Sequence, residues 1–236
     1  MSKKGLIIAI DGPAAVGKST IGKLIAQKLG FLYIDTGAIY RAITWKVLKN
    51  NLSVNNEDLI SILVSKTQIK INRVSSNSLK DYYHIFIDGE DVTEEIRDPK
   101  IDQNVSQIAK LPKIRKQLIS LQKKLAKEGN IIMEGRDIGS VILPYADIKF
   151  YFIASEEERT KRRYKELTDK GYKIDYKEVK KQIMERNEID SKRKYAPLTK
   201  AEDAVLIDST EKTIEEVENE ILKVIKRYKE SRKKIN

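Results

Sequence analysis

The sequence predicts a three-layer α/β/α fold, a parallel core sheet covered by helices, with a small antiparallel insert and a helical lid. Three observations point there. The chain opens as an apolar run (Leu6 to Ile10), a glycine-bounded loop, a helical pattern (Lys18 to Leu29) and a second apolar run (Phe31 to Ile34). Such a βαβ start calls for a parallel sheet. Later apolar runs at Ile131 to Met133, Ile148 to Ile153 and Asp203 to Asp208 alternate with helical patterns. Between residues 50 and 98 that rhythm breaks into two β-like runs joined by turn residues, which reads as an insert.

The opening loop carries G-x-x-x-x-G-K-S, from Gly12 through Gly17, Lys18 and Ser19. This spacing suits a phosphate cradle, or P-loop. Glycines let backbone N–H groups curl round an anion, and the helix beginning at Lys18 adds its positive end. Gly12, Pro13, Ala14, Ala15, Val16, Gly17, Lys18, Ser19 and Thr20 are therefore the expected triphosphate-binding residues. Lys18 reaches for the β- and γ-phosphates, and the Ser19 hydroxyl is the candidate ligand for Mg²⁺.

In the first helix Ile21, Leu24, Ile25 and Leu29 recur at helical spacing, and Gly30 is the stop. Asp35 to Arg41 follow the second strand, at the carboxyl end where ligand-facing residues belong. Thr36 offers a hydroxyl and Arg41 a fork for phosphate, or a surface charge. Trp45 reads as core or hinge packing. Leu59 to Val64 form a short helical pattern, Gln68 to Val74 and Tyr82 to Ile87 a hairpin closed by Asp88-Gly89, and Glu90 to Val92 can pair back. Ser75 to Leu79 read as a polar, mobile turn, and His84, the only histidine, as a surface strand residue.

A helical pattern from Ile101 to Leu125 is broken by Pro112, giving two helices or one kinked helix. Ser106 and Arg115 lie on it. The strand Ile131 to Met133 then delivers Glu134-Gly135-Arg136-Asp137 to its carboxyl end, where Arg136 suits a phosphate and Asp137 a sugar or base. Ser155 and Glu158 read as a capping box. Arg159, Arg162 and Arg163 fall on one helical face, and Thr168 to Tyr176 form a polar turn at the tip of a lid. Arg186, Asp190 and Arg193 share a second face. A last strand, Asp203 to Asp208, precedes an amphipathic helix capped by Thr213. The reading is one domain: core at about 1–36, 104–155 and 200–230, insert at about 37–103, lid at about 156–195.

The 236 residues carry a net charge of +11, no cysteine and 40% hydrophobic residues. Disulfides and thiolate metal sites are excluded. With no secretory h-region or membrane-length apolar run, a soluble cytoplasmic protein is expected, monomeric by default. The positive balance reads as a lysine-rich surface or as steering of polyanionic substrates. No aromatic-interleaved basic strand points to a specific nucleic-acid partner. One triphosphate cradle and three arginine clusters suit phosphoryl transfer between two anionic substrates, catalysed by positioning and charge neutralisation. Arg41, Arg115 and Arg136 would hold the acceptor. Arg159, Arg162, Arg163 and Arg186 would close over the donor and exclude water.

The stretches DGPAAVGKST, DTGAIYRAITW, DGEDVTEEIR, VSQIAKLPKIRKQL, EGRDIGSVILP, FYFIASEEERTKRRYKE and RNEIDSKRKYAPL to DAVLIDST, in collinear order over nearly the whole chain, resemble the bacterial cytidylate kinases. The resemblance implies ATP- and Mg²⁺-dependent phosphorylation of CMP and dCMP, with an enlarged nucleoside-monophosphate-binding insert over Gln68 to Arg97. It implies acceptor contacts from Thr36, Arg41, Ser106, Arg115, Arg136, Asp137, Asp190 and Arg193. Among these Arg41 and Arg136 would grip the phosphate, Ser106, Arg115 and Asp137 would read cytosine, and Asp190 and Arg193 would meet the sugar. Lys18, Arg136, Arg159, Arg163 and Arg186 are implied around the transferring phosphoryl group. Two departures from the family pattern stand out: Ala14-Ala15-Val16 replaces Ala-Gly-Ala, which costs backbone freedom, and Asn187 replaces an aspartate, with weaker lid closure as the expected consequence. Two alternatives remain: a kinase for another nucleotide such as UMP, and a nucleotide-dependent switch or RNA-associated protein. The chain has no N-K-x-D base-recognition element for a GTP switch.

Overall fold

The computed structural model describes residues 5–73, 83–127 and 129–235. Five strands form the core sheet: β1 (Ile7–Asp11), β2 (Leu32–Asp35), β6 (Ile131–Gly135), β7 (Ile148–Ile153) and β8 (Val205–Asp208). Their order is β2-β6-β1-β7-β8, and every pairing is parallel. β1 and β6 are buried at all five positions, which requires cover on both faces. Because the strands are parallel, their carboxyl ends share one edge. The register sets Asp11 beside Gly135 and Asp35 beside Glu134 there.

Helix α1 (Lys18–Leu29) ends at Gly30, whose φ of 69° gives the left-handed C-cap that glycine adopts without Cβ strain. Ile21 and Ile25 are its fully buried apolar anchors. Helix α2 (Thr36–Lys49) starts directly on β2, with the Asp35 carboxylate accepting from the Ala38 N–H. Trp45 packs against the main core while the Lys49 ammonium sits 4.4 Å from its ring centroid.

The insert holds α3 (Glu57–Ser65) and a small antiparallel sheet of β3 (Ile69–Arg73), β4 (Tyr83–Ile87) and β5 (Glu90–Asp91). Asp88 and Gly89, at φ of 52° and 90°, make the hairpin turn expected of that dipeptide. Alternation buries Tyr83, Ile85 and Ile87 and leaves His84 half-exposed, its Nδ1 2.6 Å from Asp91. The expected turn over 75–79 lies outside the described residues.

Pro112 separates two helices, α4 (Pro99–Ala109) and α5 (Pro112–Leu125), each with proline in its first turn where no N–H partner is lost. The expected core boundary at 104 falls inside α4. A π-helical turn over Ile138–Ile142, which the sequence pattern did not suggest, carries the chain away from β6.

The segment expected to form the lid folds as a helical pair, α6 (Glu156–Asp169) and α7 (Tyr176–Lys192). It has its own small core of Leu167, Val179 and Ile183, separate from the main one. Only half of the capping box at Ser155 forms. Ser155 Oγ accepts from the Glu158 N–H, but the Glu158 carboxylate is taken by Arg162 at 2.9 Å. The full box appears instead at Thr213, which exchanges bonds with Glu216 at the start of α8 (Ile214–Ile235).

Candidate active site

The loop between β1 and α1 has a backbone that few side chains tolerate. Gly12 sits at φ 145°, and a Cβ there would meet the Phe152 carbonyl oxygen at 2.4 Å. Gly17, at φ 87°, caps α1 with no side-chain hydrogen bond, so no side chain competes for the first-turn N–H groups. Ala15 is left-handed too, at φ 61°, although it carries a Cβ. Its methyl group packs on the lid core. Val16 is buried, Pro13 and Ala14 are half-buried, and Thr20 is exposed.

Lys18 is buried and donates to the Pro13 carbonyl at 2.6 Å. Burial, then the neighbouring Arg136 charge, pull its pKa down. Glu134 and Asp11 offset part of this, and an incoming phosphate would add a further anion. Ser19 Oγ donates to Glu134 Oε1 at 2.5 Å. Glu134 is buried, its Oε2 makes no well-formed hydrogen bond, and the Tyr33 hydroxyl is among the groups that influence its carboxyl. Burial, then the Asp35 charge, push the Glu134 carboxyl upward.

A chain of alternating charges fills the acceptor side. Asp137 Oδ2 takes Arg115 at 2.5 Å and its Oδ1 takes Arg193 at 3.0 Å. Arg193 lies 3.6 Å from Asp190, which binds Arg136 Nε at 2.9 Å. Arg115, Asp137, Arg193 and Asp190 are all buried. Burial alone would raise the Asp190 carboxyl, but Arg136, Arg186 and Arg193 hold it below the usual carboxylate range. Ser106 is buried on α4. Thr36 is buried and donates to the Glu134 carbonyl at 2.7 Å, tying the end of β2 to β6. Arg41 pairs with Asp35 at 2.6 Å, and the Tyr83 hydroxyl of the insert donates to the same carboxylate at 3.2 Å.

The three arginines of α6 do not act as one face. Arg159 points to the loop, 3.5 Å from the Ala14 carbonyl. Arg162 reaches Ser209, at 3.0 Å to its Oγ and 2.6 Å to its carbonyl, with Nη1 3.9 Å from where a Cβ on Gly17 would stand, and so braces the chain after β8 beside the phosphate loop. Arg163 engages Glu166 and Asp102. From α7, Arg186 Nη1 approaches Asp102 at 3.8 Å, and its Nε is buried without a partner. Ser209 Oγ in turn donates to the Val16 carbonyl at 3.0 Å, so Arg162 reaches the phosphate loop through Ser209 rather than directly as Arg159 does.

Three residues of this site escape a reading by sequence pattern. Glu134 stands in the cluster after β6, yet its position beside Ser19 emerges only from strand register. Asp11, buried at the end of β1, accepts the Ile138 and Gly139 N–H groups at 2.8 and 2.7 Å. It thereby fixes the turn that follows Arg136 and Asp137. Asp102 carries no local signal at all. Among the described residues no cluster of three or more acidic, histidine or cysteine side chains forms a metal cage by itself.

The model of the cytidylate kinase family matches residues 8–227. A cytidylate kinase of Caldicellulosiruptor bescii is 47% identical over 221 residues, covering 94% of this chain and 96% of its own. One of Clostridioides difficile is 48% identical over 220 residues, covering 93% and 98%. Among solved structures, an uncharacterized protein of Eubacterium ventriosum superposes with a TM-score of 0.50 at 14% identity, covering 95% of this chain and 99% of that one. At that identity the likeness speaks for the fold alone.

Proposed function

The chain belongs to the cytidylate kinase family, and from that premise we propose how its residues divide the work of phosphorylating CMP and dCMP. ATP is the phosphoryl donor of such a kinase. Its phosphates would lie in the Gly12–Thr20 loop against Lys18 and the open end of α1. The observation that carries this reading is the meeting of two polar ends: the loop after β1 and the Arg136-centred charge chain after β6 open on the same edge of one parallel sheet.

A magnesium ion fits the residues present. Ser19 Oγ and the buried Glu134 carboxylate, whose Oε2 lacks a well-formed bond, offer hard oxygen ligands beside the phosphate loop. Bound there with the donor phosphates, Mg²⁺ would neutralise charge developing on them. Lys18 would supply a second positive charge on the same phosphates.

On the acceptor side, Arg41 and Arg136 would clamp the monophosphate by exchanging their present partners, Asp35 and Asp190, for phosphate oxygens. Ser106, Arg115 and Asp137 would read cytosine. Asp137 holds Arg115 by a bond that fixes which guanidinium edge stays available. Asp190 and Arg193 would border the ribose, and Thr36 the acceptor pocket. Arg159, Arg163 and Arg186 would meet the transferring phosphoryl group as the lid closes and excludes water. The division into core, insert and lid is part of this reading. No described helix is long and apolar enough to cross a membrane.

The test is ADP release from Mg·ATP with CMP, dCMP, UMP or no acceptor, for the wild type and Arg136→Ala. CMP- and dCMP-dependent turnover that falls about 100-fold or more in the variant is expected. UMP turnover equal to CMP turnover would refute the cytosine-reading set. Turnover independent of acceptor would refute the acceptor site.

A further inference from the structure

Asp102, in the first turn of α4, joins both helices of the lid. Its Oδ2 takes the Arg163 guanidinium from α6, and its Oδ1 lies 3.8 Å from Arg186 Nη1 on α7. The carboxylate is 21% exposed, enclosed but reachable by solvent. Arg41 also feels its charge. The carboxylate of Asp102 therefore faces three cations, Arg163, Arg186 and Arg41, each presenting a fork suited to phosphate oxygens. Without an anion, Arg163 and Arg186 would repel each other and the helices carrying them.

We propose that Asp102 is a positioning residue that substitutes for phosphate charge in the nucleotide-free enzyme, holding Arg163 and Arg186 against α4 until the phosphoryl group takes them over. This rests on the reading that Arg163 and Arg186 meet that group. A phosphate carries more charge and more acceptor oxygens than one carboxylate, so it wins the exchange. The exchange still costs affinity, because two ion pairs must open first. It also keeps these arginines off ATP until closure is complete, which suppresses hydrolysis by water.

The experiment uses the full chain with Asp102→Asn, Asp102→Ala, Arg163→Ala and Arg186→Ala. ATP affinity is measured by equilibrium titration without acceptor, alongside KM, kcat and acceptor-free ADP release. Asp102→Asn is nearly isosteric, and Asp102→Ala repeats the test without any polar head. ATP is expected to bind at least about threefold tighter in both Asp102 variants, with acceptor-free hydrolysis raised and KM for ATP lowered. ATP affinity that is unchanged or weaker in both would overturn the proposal. If that result comes while Arg163→Ala and Arg186→Ala lose turnover, the role of the arginines survives and only that of Asp102 falls. If the arginine variants turn over CMP like the wild type, the underlying reading falls with it.

Discussion

Ser19 and Glu134 are 115 residues apart in sequence, yet the Ser19 hydroxyl donates to the Glu134 carboxylate at 2.5 Å. The contact exists because β1 and β6 are adjacent parallel strands, whose carboxyl ends bring a hydroxyl from the first turn of α1 and a buried acid to one spot.

Glu134→Gln keeps the shape and one acceptor but removes the charge that a divalent cation needs. The half-saturating Mg²⁺ concentration for CMP phosphorylation should rise by at least about tenfold, with the fold intact. Initial rates against free Mg²⁺ at fixed ATP check this. A curve that superimposes on the wild type removes Glu134 from the metal site.

Asp137 is the acid shared by Arg115 and Arg193, all three buried. Asp137→Ala would leave Arg115 without its carboxylate in the interior and Arg193 with Asp190 alone, a loss of about 3–5 kcal/mol. Urea denaturation without nucleotide should show a midpoint shift of that size. Asp137→Asn, which retains one acceptor, should lose less. The same variants should also discriminate CMP from UMP less well, because Arg115 is no longer held in place.

Much of this was legible because it is local. The phosphate loop, Gly30 as a helix stop, the Pro112 break and the Asp88-Gly89 turn each depend on a few neighbouring residues, and each stands where the pattern puts it. Arg162 shows the limit. Helical spacing puts it beside Arg159 and Arg163, but long side chains diverge from a common face, and Ser209 captures this one. Asp102, Glu134 and Asp11 act through partners brought to them by other elements. Their roles are properties of register and packing, which no local pattern carries.

Asp11 gives a pH signature. Burial pushes its carboxyl up to about 7, against two N–H bonds that favour the charged form. The folded protein therefore holds a proton that the unfolded chain releases near its ordinary value of 3.8. The sign follows: the stability from this group is present below about pH 4 and is lost as the pH rises toward 7, up to about 4 kcal/mol. Depressed acids such as Asp190 act in the opposite sense, so the comparison must be between proteins. Subtracting the Asp11→Asn profile from the wild-type profile of unfolding free energy should leave a fall over that window. A flat difference would mean that Asp11 is ionised in the folded state.

Asn187 stands on α7 next to Arg186, with Oδ1 buried and unpartnered. A carboxylate in its place could pair with a lid arginine, a gain on the order of 0.5–1 kcal/mol. Asn187→Asp should raise kcat about two- to fivefold. An unchanged rate sinks the idea.

At Ala15, backbone strain and side-chain contact pull in opposite directions. A left-handed alanine costs about 1–2 kcal/mol relative to a right-handed one, and glycine removes that cost. Glycine also gives the unfolded chain about 0.4–1 kcal/mol of extra conformational freedom. The two largely cancel, so Ala15→Gly should shift the thermal midpoint by only a few degrees. Function should not cancel in the same way. The Ala15 methyl is where the phosphate loop touches the separate core of the lid, beside Tyr164 and Ile174. Removing it frees the loop and weakens that contact. The kcat/KM for ATP should fall severalfold, while a substitution on the outer lid face such as Lys181→Ala leaves it unchanged. A variant with wild-type kcat/KM would mean that the lid closes without help from the loop.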